Sequence, residues 1–217
     1  MKKLIISKNG VIDSIKKSSD LFINVKRGVK SILVLRNNPA SIKVKVAANS
    51  NFTIINNIQK VENMDTKVLV ELIGAGAEAN IYYAFHGQAD HKHIFDITMH
   101  HQAKNTKGDI LIKGVYENKS LGKFLGLIKI DKPAQGTNSY FTDNILLLDQ
   151  GMGVSVPNLE IEANDVKASH GSTTGKIDED QLFYLTSRGV SRQQAKRMII
   201  NGFFQPVFDK LPKDIKL

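Results

Sequence analysis

None of the 217 residues is cysteine. That absence removes disulfide staples, thiol nucleophiles, thioredoxin-type redox chemistry and every zinc site that relies on thiolate ligands. Long hydrophobic runs are missing too. The N-terminus MKKLIISKNG starts basic, but its apolar stretch Leu4-Ile5-Ile6 ends at Ser7, far short of a signal-peptide core or a membrane span. With no export signal and no cysteine pairs, the expected compartment is the cytoplasm and no membrane partner is expected. Helical periodicity is absent before Asp178, which argues against a βαβ fold. The aromatic platform that single-strand nucleic-acid binders interleave with basic residues is also lacking.

Hydrophobic residues make up 41% of the chain, enough for one substantial core with an appendage. The formal net charge is +9, from 30 Lys and Arg against 21 Asp and Glu. Pairs such as Lys2-Lys3 and Lys16-Lys17 are scattered and form no stripe, so the charge reads as solubility with steering toward an acidic partner, not as a nucleic-acid site.

From the start to about Ser169 short strands follow one another. Leu21–Val25, Ser31–Leu35, Ile42–Val46, Lys67–Leu72, Ala79–Phe85, His93–Met99, Asp109–Ile112 and Phe124–Ile130 are expected strands, several alternating apolar and polar. Breaks fall at Arg36–Pro39, Ala48–Asn51 and Tyr116–Ser120. A sandwich, a barrel or a β-solenoid would all suit this pattern. No strict sequence repeat stands out, which counts mildly against a solenoid.

Beyond the strands two helices are expected. Asp178 caps the first, with Gln181 three residues on and Gly189 closing it; Ser191 caps the second, with Gln194 at the capping-box position and a stop at Gly202. The chain thus divides into a β core over 1–175 and a helical hairpin over 176–217. Its apolar groups either cap the core or dock a partner.

Few motifs carry chemistry. Gly74–Ala79 has the spacing of a loose dinucleotide fingerprint, but strand follows where a helix should open, so it reads as a turn. Six histidines are present; His91 and His93 share a face if Lys92 lies in a strand, and His100 from a neighbouring rung would complete a nitrogen-rich metal site. The competing reading is a polar outer face. Ser169 and Ser172 flank His170 without a nucleophile elbow. Scattered carboxylates leave open a β-helical carbohydrate-active enzyme, although no pair is singled out.

The segment Leu159–Phe204, with His101–Asp109, Lys113-Gly-Val115, Asn144–Leu148 and Pro157–Ile161 in order before and into it, resembles the SufB/SufD family of iron-sulfur cluster assembly scaffolds. The resemblance implies an all-β core folded as a right-handed parallel β-helix (β-solenoid) with a C-terminal helical hairpin. Within the family the SufB type has a cysteine at the position of Gly151 and a glutamate at that of Gly171; His170 is kept. Those departures make the chain similar to SufD, a non-enzymatic subunit. His170 is then the candidate metal or cluster ligand, and one imidazole cannot hold a cluster alone, so any cluster would be shared with a partner chain. The resemblance also implies docking of a SufC-type ATPase through Leu182, Phe183, Arg188, Arg192, Lys196, Arg197, Met198 and Phe203. The opposite subunit would be SufB-like or identical, the latter making a homodimer the sole scaffold partner of the ATPase. SufD proteins carry an additional N-terminal helical region, whereas strands begin here almost at once.

Overall fold

The computed structural model describes residues 2–13, 20–36, 39–56, 62–213 and 215. Lys16-Lys17 lie outside them, as do Asn37 and Asn38 of the expected break. In chain order the described strands are β1 (Lys2–Ile6), β2 (Gly10–Asp13), β3 (Asp20–Val25), β4 (Lys30–Leu35), β5 (Ser41–Val46), β6 (Asn51–Asn56), β7 (Met64–Leu72), β8 (Glu78–Gly87), β9 (Lys92–His101), β10 (Lys107–Tyr116), β11 (Leu121–Ile130), β12 (Thr137–Leu147), β13 (Met152–Ile161) and β14 (Val166–Lys176). Helices α1 (Glu179–Ser187) and α2 (Arg192–Phe208) follow. Odd-numbered strands form one seven-stranded sheet and even-numbered strands another, each in sequence order and parallel throughout. The chain therefore crosses between sheets at every corner and adds one strand to each per circuit. That is a parallel β-helix, which decides among the three architectures the strand pattern allowed.

Its repeat is hidden because the circuit lengthens along the chain. It takes 21 residues from Leu21 to its partner Ile42 and 31 from Phe124 to Ser155. The corners keep the register instead. One column of left-handed residues runs Gly28, Asn49, Gly76, Asn105 and Gly136; a second runs Ala89, Asn118 and Asp149. Glycine and asparagine take this conformation at least cost, so they recur where the chain must reverse. Buried hydroxyls beside the corners satisfy backbone carbonyls: Ser50 donates to Lys26, Ser120 to Gly87 and Thr137 to Ala134.

Inward residues of both sheets form one core. Alternation along β10 sends Gly108, Ile110, Ile112, Gly114 and Tyr116 inward, while Asp109, Leu111, Lys113 and Val115 face out. Large rings need glycine opposite them. A Cβ on Gly122 would stand 2.1 Å from the Tyr116 ring, so no other residue fits there without displacing it.

The helices lie on the outer face of the even sheet. Leu182, Ala195, Ile200, Phe204 and Val207 bury against Ile55, Tyr82, Ala84, Val115 and Leu148. Burial of each large side chain stabilises this docking by about 1.5–3 kcal/mol. Lys113 reaches up from β10 to place its ammonium 4.3 Å from the Phe203 ring centre. Both caps are where the sequence puts them: Asp178 accepts from the Asp180 and Gln181 N–H groups, and Ser191 and Gln194 close a capping box. The expected stop at Gly202 is corrected, because α2 continues to Phe208 with Pro206 inside it. Burial of Phe204 and Val207 outweighs the glycine and the hydrogen bond that Pro206 withholds from the Gly202 carbonyl. Among the described residues no helix is long and apolar enough to cross a membrane.

Candidate functional site

The solenoid changes character at its last rung. One inward column reads Ile12, Leu33, Ile54, Ile81, Ile110, Phe141 and finally His170. The next reads Tyr83, Ile112, Asp143 and Ser172. On the opposite sheet Phe95 and Phe124 lead to Ser155. Thus the apolar stacks end in His170, Ser172 and Ser155 on the last two strands, with Asp143 one strand before Ser172, and among the described residues no further rung covers β13 and β14.

Asp143 is the centre of this end. It is buried, and it accepts from the Ser155 hydroxyl at 2.7 Å and the Ser172 hydroxyl at 2.8 Å, joining β12, β13 and β14. Burial pushes its carboxyl above the usual range, against the two hydroxyl bonds and the nearby His170, which favour the anion. Asp143 was not among the expected site residues. The signal was legible: a lone carboxylate at an inward position of an alternating strand is costly unless partnered.

β13 and β14 are the outer strands of their sheets, so among the described residues each has one unpaired edge. The edges differ. Met152 and Glu162 donate to the Ser120 and Ile130 carbonyls of the preceding rung, so the alternation turns the nitrogen of Pro157 to the open side and interrupts the β13 edge. On β14, Ile177 donates inward to Leu147, and the N–H groups of Ala168, His170, Ser172 and Thr174 face outward without a proline among them. Around β13 the exposed residues include Met152, Val154, Val156, Leu159 and Ile161.

The two positions where the chain departs from the SufB pattern have different surroundings. Gly171 has open space where a Cβ would go. A Cβ on Gly151 would stand 2.1 Å from the Tyr116 carbonyl oxygen, so the backbone there has no room for a thiolate ligand without moving. With no thiolate in the chain, one exposed imidazole at His170 and a carboxylate already held by two hydroxyls, these residues do not fit an iron-sulfur cluster as a sole host.

The other histidines are dispersed. His93 is in the interior, its Nε2 2.9 Å from the Glu62 carbonyl and its Nδ1 3.4 Å from the Tyr116 hydroxyl. His100 is on the outer face of the same strand, 2.9 Å from Asp131, and His91 precedes β9. The structure does not bring His91, His93 and His100 together, because His93 and His100 fall on opposite faces of one strand and not on neighbouring rungs. Among the described residues no three His, Asp or Glu side chains converge as a metal would need. His101 is buried between Thr106, at 2.8 Å, and Ser139, at 3.0 Å. Burial lowers its pKa to about 4, with the neighbouring His100 adding to the effect. It is a neutral structural residue.

On the helices, the expected docking residues split into two sets. Leu182 is fully buried and Phe203 lies under Lys113, so both hold the helices to the sheet. Phe183 and Met198 point to solvent at 73% and 53% exposure, joined by Tyr184, which sequence reasoning missed. Arg188 stacks on Tyr184, Arg192 pairs with Glu179 at 3.0 Å, and Lys196 reaches Asp149 at 3.4 Å. Arg197 lines a cleft beside α2.

Comparison with known proteins identifies a family. A family model described as "SUF system FeS cluster assembly, SufBD core domain" matches residues 36–203. An iron-sulfur cluster assembly SufBD family protein of Synechocystis is 36% identical over 117 residues, covering 54% of this chain and 24% of the relative. A chloroplastic SufBD family protein of Arabidopsis thaliana is 35% identical over 117 residues, covering 54% and 21%. One from Mycobacterium leprae is 33% identical over 154 residues, covering 65% and 38%. The matched parts thus span between about a fifth and two fifths of these relatives. A family model matched over most of the chain, on a parallel β-helix carrying two C-terminal helices, places the chain in the SufBD family.

Proposed function

We propose that the chain is a SufD-like, non-enzymatic scaffold subunit in iron-sulfur cluster assembly, docking a SufC-type ATPase through α1 and α2 and pairing with a SufB-like or identical subunit through the last rung. The observation that carries this reading is the uncovered rung, with an unpaired β14 edge above a polar interior end. An edge of aligned donors and acceptors is a template for another strand, and parallel β-helices otherwise seal such ends. His170, at the rim of that end, would contribute one imidazole to a cluster whose sulfur ligands come from the opposite chain. The cluster is cargo, handed on and not retained.

On the helical side, Phe183 and Tyr184 of α1 and Met198 of α2 are exposed, with Arg188 stacked on Tyr184 and Arg192 paired to Glu179 on the same two-helix unit. Exposed aromatic side chains together with arginine have the composition of a protein interface. Closure of two nucleotide-bound ATPase subunits would pull on two such hairpins and rearrange the rung between the scaffold subunits. A second reading, a homodimer serving as the sole scaffold, is favoured by β14 itself, since a proline-free edge can pair antiparallel with its own copy. Co-purification with the ATPase is the test: Phe183→Asp with Met198→Asp should abolish retention while leaving the fold intact, and retention equal to the unaltered chain contradicts the reading.

A further inference from the structure

We propose that the cleft between α2 and the corner after β8 and β10 binds a free α-amino acid, recognised as a zwitterion. The cleft has a volume of about 330 Å³, at the lower end of small-molecule sites. Its two walls carry opposite charge. On the solenoid side Glu117 accepts from the Gln88 amide at 2.5 Å and lies 3.0 Å from His86 Nε2, which fixes the carboxylate in place. On the helix side stand Lys196 and Arg197. Lys196 is already engaged by Asp149, whereas Arg197 makes no ion pair among the described residues.

The charge pattern selects the ligand. A bare anion at Arg197 meets the Glu117 carboxylate, and a bare cation at Glu117 meets Lys196 and Arg197. A molecule with a carboxylate and an ammonium on one carbon satisfies both walls. The guanidinium is suited to a bidentate bond with the carboxylate, and Glu117 offers an acceptor to the ammonium. Ile200, mostly buried, gives the lining an apolar patch against which the amino-acid side chain can rest, which favours a small neutral one. Bound there, the ligand bridges α2 to the solenoid.

Calorimetric titration of the whole chain with each free proteinogenic amino acid tests this, and it needs neither cluster nor ATPase. At least one small neutral amino acid should titrate; its N-acetyl and carboxamide forms, each lacking one pole, should not bind at the same concentration. Arg197→Gln, at an exposed position, and Glu117→Gln should each weaken binding by about tenfold or more. Absence of any titrating amino acid, equal binding of the blocked forms, or unchanged binding by Arg197→Gln overturns the proposal. Because the assay reports on the cleft alone, its failure leaves the scaffold reading standing, and failure of ATPase docking leaves the cleft.

Discussion

Asp143 on one sheet accepts a hydrogen bond from Ser155 on the other, 2.7 Å away across the last rung of the solenoid. With Ser172 bonded to the same carboxylate, this contact fixes the relative position of the two strands whose edges are open. It is a structural clasp at the end where pairing is proposed.

The clasp has a pH signature. Burial raises the Asp143 pKa in the folded state, so the ionised form disfavours folding; the stability it contributes is full below the unfolded value of about 3.9 and is lost as pH rises through the folded value. Asp143→Asn should therefore gain on the unaltered chain as pH increases from the carboxylate range toward neutrality. Asp143→Ala leaves Ser155 and Ser172 without their acceptor and should lose about 1–3 kcal/mol at acid pH, a deficit that shrinks as pH rises toward neutrality. Denaturant unfolding between acid and neutral pH measures both.

His101 acts in the opposite direction. Its folded pKa of about 4 lies below the unfolded value of about 6.5, so the unfolded chain takes up the proton first and stability falls as pH drops through that window. The full loss is about 3 kcal/mol, larger than a single surface ion pair provides. His101→Gln should flatten the acid limb of the stability profile while lowering stability at pH 7. A limb unchanged by the substitution would remove His101 as its cause.

Restoring the family's other residues should succeed at one position and fail at the other. Gly171→Glu enters open space on an exposed strand and should change stability by no more than about 0.5 kcal/mol. Gly151→Cys drives a Cβ against the Tyr116 carbonyl and should cost about 1–3 kcal/mol. Thermal unfolding of the two variants side by side checks this.

Much of the fold was legible. Strict alternation in segments such as Ile42–Val46 marks half-buried strands, and the Asp178 and Ser191 caps fix where the helices start. The solenoid was not separable from other β folds by pattern alone, because the circuit grows from 21 to 31 residues and only the glycine and asparagine corners recur in place. The end of α2 was misplaced because propensity stops it at Gly202 whereas burial of Phe204 and Val207 carries it on. Of the site, His170 came from the family resemblance. Asp143 was missed because its partners, Ser155 and Ser172, are 12 and 29 residues away and meet it only once the rungs stack.

The most direct test of the scaffold account is light scattering coupled to size exclusion, on the chain mixed with a SufC-type ATPase, with and without a SufB-like subunit. The account predicts one complex containing two scaffold subunits, either two copies of the chain or one copy with the SufB-like subunit. Thr174→Pro, whose lost N–H faces the open β14 edge, should keep the fold but reduce the scaffold to a single subunit. A 24.1 kDa monomer eluting apart from the ATPase, or a complex indifferent to Thr174→Pro, would contradict it.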